Sequence, residues 1–151
     1  MEDRPTLRLL SAEDLDEVLG IEEVSFEFPW TRDEFLGYLR QSHICFVAVQ
    51  AGQIVGYTLY TAGRSQLSIA RFAVCPCYRR QGVGRRMAQR LVDKLHWQTR
   101  KEVVLCTHEE NLPSQLFWRA CGFRAVNILR DYYKDGKSAY CMSYSCCPMR
   151  R

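Results

Sequence analysis

The 151-residue sequence is as telling for what it has little of as for what it contains. It has no internal repeats, no low-complexity segment and no proline- or glycine-rich linker, which excludes solenoids, arrays and linker-joined modules. No secretory leader is read at Met1-Glu2-Asp3-Arg4-Pro5, which is charged and followed by no apolar core, so the expectation is a cytoplasmic protein with no membrane segment. Net charge is small too: the two signs nearly balance, leaving a formal +4. The basic residues that matter are grouped at 79–90, which reads as a local patch rather than a field over the whole protein. No helix-turn-helix, zinc-finger or aromatic RNA-binding motif accompanies that patch, which argues against a nucleic-acid binder. Eight cysteines are present, yet Cys75-x-Cys77 and Cys146-Cys147 lack the two paired clusters of a zinc ribbon, so no metal is expected. Cys45, Cys106 and Cys141 lie inside apolar runs and read as small hydrophobes with free thiols.

What is present is an ordinary globular composition, 47% hydrophobic and 25% charged, long enough to bury one core. The expectation is a single domain over residues 1–151, with 146–151 a disordered tail. The chain is organised around Arg79-Arg80-Gln81-Gly82-Val83-Gly84-Arg85. A strand (Ser68 to Val74) and a turn (Cys75-Pro76-Cys77-Tyr78) precede this stretch, and a helix predicted from Arg85 to Trp97 follows. Glycines let backbone approach a ligand, and a helix N-terminus offers unpaired N–H groups with a partial positive charge. Together with the arginines they suit phosphate or pyrophosphate. The plain alternative is a tight, solvated strand-to-helix turn.

Before that stretch, Thr6 to Leu10 reads as a strand. Ser11 caps a helix with Glu13 and Asp14 in its first turn, and Thr31 caps a second (Arg32 to Leu39) with Glu34 completing a capping box. Between these helices Phe28-Pro29-Trp30 is either a hydrophobic plug or part of a ligand groove. His43 to Gln50 and Gln53 to Thr61 are strands joined by an Ala51-Gly52 turn. Beyond the long helix, Glu102 to Thr107 is an apolar strand expected to be buried on both faces. A helix from Pro113 to Ala120 follows and ends at Cys121-Gly122. Arg124 to Leu129 and Ala139 to Ser145 are strands flanking a loop with an Asp135-Gly136 turn. Trp97 and Cys121 read as core or boundary residues.

These elements, with Val74-x-Pro76-x-Tyr78-Arg79-x-Gln81-Gly82-x-Gly84, resemble the GNAT superfamily of acyl-CoA-dependent N-acetyltransferases. Asn111, Phe117-Trp118 and Cys121-Gly122-Phe123 resemble a second motif of that family. Within it, Phe28-Pro29-Trp30, Tyr78 to Gly82 and Arg130-Asp131-Tyr132-Tyr133 are similar to the ribosomal-protein-alanine (RimI-like) and other Nα-acetyltransferases. The resemblance implies a mixed α/β (α+β) GNAT fold. Its central twisted sheet would be mostly antiparallel with about seven strands, splayed at the acyl-CoA site and flanked by about four helices. It implies acetyl-CoA as donor. Phe72, Ala73 and Val74 would meet pantetheine through their backbones, Arg79, Arg80, Gln81, Gly82, Val83, Gly84 and Arg85 would bind pyrophosphate, and Asn111 would bond the pantetheine arm. Phe28, Pro29, Trp30, Tyr132 and Tyr133 would flank a groove for a protein N-terminus, which overrides the plug.

The resemblance fails at the catalytic pair. The family glutamate base is replaced by Cys106 and the tyrosine acid by Trp118, which has no proton to donate at neutral pH. An α-amine, with a pKa of roughly 8, needs only modest help to lose its proton. The candidates left are His108, on the same strand face as Cys106, Cys106 itself, and the Tyr133 or Tyr132 hydroxyl, with Glu109 and Glu110 acting through water. The backbone N–H of Val74 would stabilise the oxyanion. His108 as a plain surface residue stays open. So do two other functions: acetylation of a small-molecule amine, and a non-catalytic acyl-CoA-binding module. Neither the acceptor nor the choice between monomer and homodimer is fixed by the sequence.

Overall fold

A computed structural model describes residues 4–146. Among the described residues it has seven strands and four α-helices: β1 (Thr6–Leu9), α1 (Leu15–Ser25), α2 (Arg32–Arg40), β2 (Ile44–Gln50), β3 (Gln53–Ala62), β4 (Gln66–Val74), α3 (Val83–Val92), β5 (Glu102–His108), α4 (Leu112–Ala120), β6 (Arg124–Leu129) and β7 (Ala139–Ser145). The sheet order is β1-β2-β3-β4-β5-β7-β6. The pairs β1–β2, β2–β3, β5–β7 and β6–β7 are antiparallel, and β4–β5 is parallel. This is the mixed, mostly antiparallel sheet that the resemblance implies. The β4–β5 ladder covers only Gln66–Ser68 against Glu102–Val104.

The chain divides into two compact units, residues 1–61 with 70–88, and residues 62–69 with 89–151, and β4 and α3 contribute to both. In the first unit, Leu15, Val18 and Ile21 of α1 and Phe35 of α2 pack on Cys45, Val47, Ile54, Tyr57 and Leu59 of β2 and β3. The helices start where capping chemistry dictates. Glu34 N–H donates to Thr31 Oγ1 at 3.2 Å and Thr31 N–H returns a bond to Glu34 at 3.0 Å. Asp14, buried, receives Ser11 N–H at 2.8 Å and both amino groups of Arg8 at 2.7 and 3.0 Å. Those bonds, Arg8 foremost, lower its pKa to about 2. At Gly56 a Cβ would sit 2.9 Å from Met87 Sδ and 3.0 Å from the Ala73 carbonyl, so only glycine lets β3 pass this close to the end of β4.

In the second unit, Phe123 is fully buried, with its ring 4.9 Å from Trp118 and 5.6 Å from Tyr144. Trp118 is itself buried, as a core ring rather than a proton donor. The sheet ends at β6, where Val126 and Ile128 are 64% and 48% exposed. With Leu112 and Leu116 of α4, these residues line a groove of about 900 Å³ that also carries Arg119, Arg124 and Arg130.

Three expectations need correction. The helix expected over Arg85 to Trp97 begins earlier, at Val83, and ends at Val92, because Lys94 and Leu95 donate to carbonyls three residues back and tighten its last turn. Trp97 is therefore outside it and exposed. Strand β5 is not buried on both faces. Val103, Leu105 and Thr107 are buried, while Glu102, Val104, Cys106 and His108 face the half-exposed side. Cys146, placed in the expected tail, is anchored, its N–H bonding the Lys101 carbonyl at 2.9 Å; the rest of that expectation, 147–151, lies outside the described residues.

Candidate active site

The glycine loop lies in the first unit. After β4 the chain turns through Pro76–Tyr78 and four turn residues before α3 starts. Gly82 has φ +87°, a left-handed conformation that costs glycine nothing, and Arg80 is left-handed at φ 63°. This pair of reversals brings backbone to the N-terminus of α3, whose first N–H groups have no partner within the helix. The side chains divide. Arg79 Nε donates to the Val74 carbonyl at 2.9 Å and its Nη2 to Ser25 at 3.4 Å, while Gln81 Nε2 donates to the Cys77 carbonyl at 3.2 Å. These two brace the loop from inside. Among the described residues the side chains of Arg80 and Arg85 make no hydrogen bond or ion pair, which leaves them free to meet an anion. Val83 is buried and Gly84 follows it in the first turn. Phe72, Ala73 and Val74 end β4, with Ala73 buried.

The Phe28-Pro29-Trp30 segment is held by a network that local sequence patterns do not show. Glu22 of α1 is 0% exposed. Its carboxylate accepts from Trp30 N–H at 2.7 Å, from Arg71 Nη2 at 2.7 Å and from the Tyr57 hydroxyl. Arg71 Nη2 also donates to the Phe28 carbonyl at 3.2 Å, and its guanidinium lies 4.0 Å from the Phe26 ring and 4.3 Å from Trp30. Burial, reinforced by Glu22, pushes the Tyr57 hydroxyl pKa well up, so it stays a donor. The two ends of the segment differ in their surroundings. Trp30 is the plug, stacked on Tyr38 at 4.0 Å, while Phe28 is 42% exposed and faces out.

In the second unit the sequence candidates converge at the end of β5. Cys106 and His108 share one strand face, as expected from their spacing. The Tyr132 hydroxyl hydrogen-bonds Cys106, whose thiol is pushed up to about 11, chiefly by burial and by neighbouring Cys141. The Tyr133 ring centroid lies 4.8 Å from that of His108, tilted to it by 32°, and 4.9 Å from that of Tyr132, edge to face at 82°. His108 Nδ1 accepts from Glu110 N–H at 3.0 Å, so Nε2 carries the hydrogen and donates to Asp135 at 2.7 Å. Both ring nitrogens are thus committed. Asp135 in turn accepts Lys137 N–H at 2.9 Å; that bond first, then His108, holds its carboxyl below the usual range. The Tyr132 and Tyr133 N–H groups bond the Lys137 carbonyl at 3.1 Å. The loop is closed on itself and pinned to β5. Glu110 lies 3.4 Å from Lys137 Nζ. Among the described residues, His108, Glu110 and Asp135 form the grouping that could hold a metal ion, their ligand atoms within 4.8 Å. Two of those atoms are already used on each other. Asn111 caps α4, its side-chain oxygen accepting Ser114 N–H at 3.1 Å. No described helix is long and apolar enough to cross a membrane.

A β4–glycine loop–α3 unit on a seven-stranded mixed sheet is the framework of an acetyltransferase. The chain belongs to the acetyltransferase (GNAT) family, whose profile matches residues 8–123. It is 26% identical over 134 residues to the [ribosomal protein bS18]-alanine N-acetyltransferase of Escherichia coli (strain K12), covering 87% of this chain and 90% of the relative. It is 28% identical over 144 residues to an N-alpha-acetyltransferase of Sulfurisphaera tokodaii, covering 86% of each. The crystal structure of the Escherichia coli ribosomal-protein-S18-alanine N-acetyltransferase superposes with a TM-score of 0.84 at 25% identity, covering 97% of both chains. The protein is an N-acetyltransferase.

Proposed function

We propose that this enzyme transfers acetyl from acetyl-CoA directly to the α-amine of a protein N-terminus in the cytoplasm. The observation that carries the acceptor class is the Tyr132–Tyr133 loop, pinned to the end of β5 by the His108–Asp135 bond. Relatives named for N-terminal acetylation match along nearly the whole chain and support it. Pyrophosphate is assigned to Arg80, Arg85 and the backbone of Gln81 to Gly84, with Arg79 bracing the loop. Phe72 to Val74 and the Asn111 side-chain amide serve the pantetheine arm. The acceptor role that the family resemblance implies is assigned to Phe28 and Pro29 in the first unit and to Tyr132 and Tyr133 in the second, and the Phe28 carbonyl is held by Arg71 Nη2.

The chemistry is done mostly by positioning. Cys106 keeps its proton at neutral pH, so it does not replace the family carboxylate as base. His108, with both nitrogens engaged, acts as a positioning residue. The α-ammonium loses its proton to water, the neutral amine attacks the thioester carbonyl, and Val74 N–H receives the oxyanion. The departing thiolate takes a proton from the Tyr132 hydroxyl or from solvent, and the nitrogen, cationic after the attack, gives its extra proton to water, which restores the Tyr132 hydroxyl. Activity should then follow ionisation of the acceptor: kcat/KM rises about tenfold per pH unit below the amine pKa and levels above it. The test is acetyl-CoA turnover on free N-terminal peptides and on small amines such as polyamines and aminoglycosides, with the acetylated atom located by mass spectrometry. Turnover confined to small amines replaces the acceptor class. Coenzyme A binding by calorimetry with no turnover on any acceptor makes the protein a binding module.

A further inference from the structure

Cys106 and Cys141 are directly opposed in the antiparallel β5–β7 ladder. Their sulfurs lie 3.9 Å apart, both thiols are free, and both residues are half-buried. We infer that this pair is a redox modification site, closing to an intramolecular disulfide with hydrogen peroxide as oxidant.

Opposed residues of an antiparallel pair have Cα atoms about 4.5 or 5.5 Å apart, and both spacings fall inside the range a disulfide spans. The strands need not part; side-chain rotation brings the sulfurs together. Flanking pairs leave this face clear, since Leu105↔Met142 and Thr107↔Tyr140 project to the other side of β5. Cβ atoms held across a ladder lie about 4.5–5.5 Å apart, wider than the 3.5–4.5 Å of a relaxed bridge. The bond is therefore strained and open to reduction by a dithiol, as regulatory disulfides are. High thiol pKa, as at Cys106, slows the first attack but also disfavours the thiolate a reduced pair releases.

The chemistry balances. One thiol loses its proton and attacks a peroxide oxygen; an S–O bond forms, the O–O bond breaks, and the leaving hydroxide takes up the proton as water. The second thiol then attacks the sulfenic sulfur; the S–S bond forms, the S–O bond breaks, and a second water departs. Two electrons pass from the sulfurs to the peroxide.

The consequence for activity rests on the function proposed above; the bond itself does not. Closure draws the Cys106 sulfur toward β7 and away from the Tyr132 hydroxyl, which it now partners. The acceptor loop loses one of its anchors to β5, so the KM for a peptide acceptor should rise several-fold.

The full chain is treated with hydrogen peroxide, remaining thiols are alkylated, and the peptides are mapped. The expected result is a crosslink between the peptides carrying Cys106 and Cys141, abolished by dithiothreitol and absent in Cys106→Ser and in Cys141→Ser. Recovery of both cysteines as alkylated or sulfinic forms, with no crosslink, overturns the inference whether or not the protein acetylates anything. In the activity arm, peptide acetylation falls on oxidation and returns on reduction, while peroxide-treated Cys141→Ser keeps its rate. Equal loss in Cys141→Ser assigns inactivation to another cysteine and removes the regulatory consequence. A protein that forms the crosslink yet turns over no acceptor refutes the proposed function and leaves the site standing.

Discussion

Replacing Glu22 with Gln should be among the most damaging single changes outside the apolar core. The carboxylate is wholly buried and accepts from three groups: Trp30 N–H, the Tyr57 hydroxyl and Arg71 Nη2. Glutamine keeps one acceptor oxygen but turns an NH₂ group toward donors, and it removes the counter-charge of Arg71, whose side chain is only 16% exposed. Arg71 already has its Nε buried with no partner, and its remaining contacts, the Phe28 carbonyl and the Phe26 and Trp30 rings, carry no negative charge. Breaking one side of a buried ion pair costs about 3–5 kcal/mol. In a chain of this size that lowers Tm by about 6–20 °C. Urea unfolding followed by tryptophan fluorescence measures the first quantity and calorimetry the second. The diagnostic companion is Glu22→Gln combined with Arg71→Met, which removes the stranded charge and should recover about half of the loss. A Glu22→Gln cost below about 1 kcal/mol, or a double variant whose losses simply add, would refute the argument that charge burial dominates here.

Gly82→Ala should cost about 1–2 kcal/mol, because the position is open but left-handed, and should raise the KM for acetyl-CoA; an unchanged KM would remove the loop backbone from the donor site. Asp14 is held at a pKa of about 2 in the folded protein, against 3.8 for an unperturbed aspartate. Its bonds therefore stabilise the fold fully above pH about 4, and this contribution disappears as pH falls toward 2. Asp14→Asn should flatten the stability profile across that window, and acid titration by circular dichroism checks it. His108→Ala and Asp135→Asn should behave alike, raising peptide KM several-fold with little change in kcat or in the shape of the pH–rate curve. Loss of a limb in His108→Ala alone would make His108 the base after all.

Much of the fold was legible because it rests on local rules. Period-two strands, the Thr31 capping box and the glycine loop each leave short-range marks, and β6 and β7 lie where the residues put them. The site was legible in its members but not in their bonds. His108 was singled out for its place on the Cys106 face, yet Asp135 reads from sequence only as the start of a Gly turn. Its second role, 27 residues from His108, depends on how the loop returns to β5. Glu22 sits beside Glu23 in an acidic helix, and nothing local marks it as buried. Its partner Arg71 is 49 residues away on β4, and no local pattern links them. Arg79 is a motif arginine whose side chain bonds the Val74 carbonyl and Ser25, contacts that the motif does not announce. Such pairings belong to tertiary structure, and the signal that could have found them is a charge placed where an apolar residue fits the period.

The edge strand β6 also bears on how the protein survives its own synthesis. Before the sheet closes, Ala125-Val126-Asn127-Ile128-Leu129 is a short β-forming run with an unmated backbone, and Val126 and Ile128 remain exposed afterwards. Arg124 and Arg130 stand at its two ends, and a register shift between Ala125 and Asn127 kinks the strand against stacking on a copy of itself. Like charges repel two such edges at low salt, and that repulsion is screened as ionic strength rises. The protein should therefore be handled in dilute buffer, and replacing both arginines with serine should turn a soluble preparation into one that precipitates on concentration.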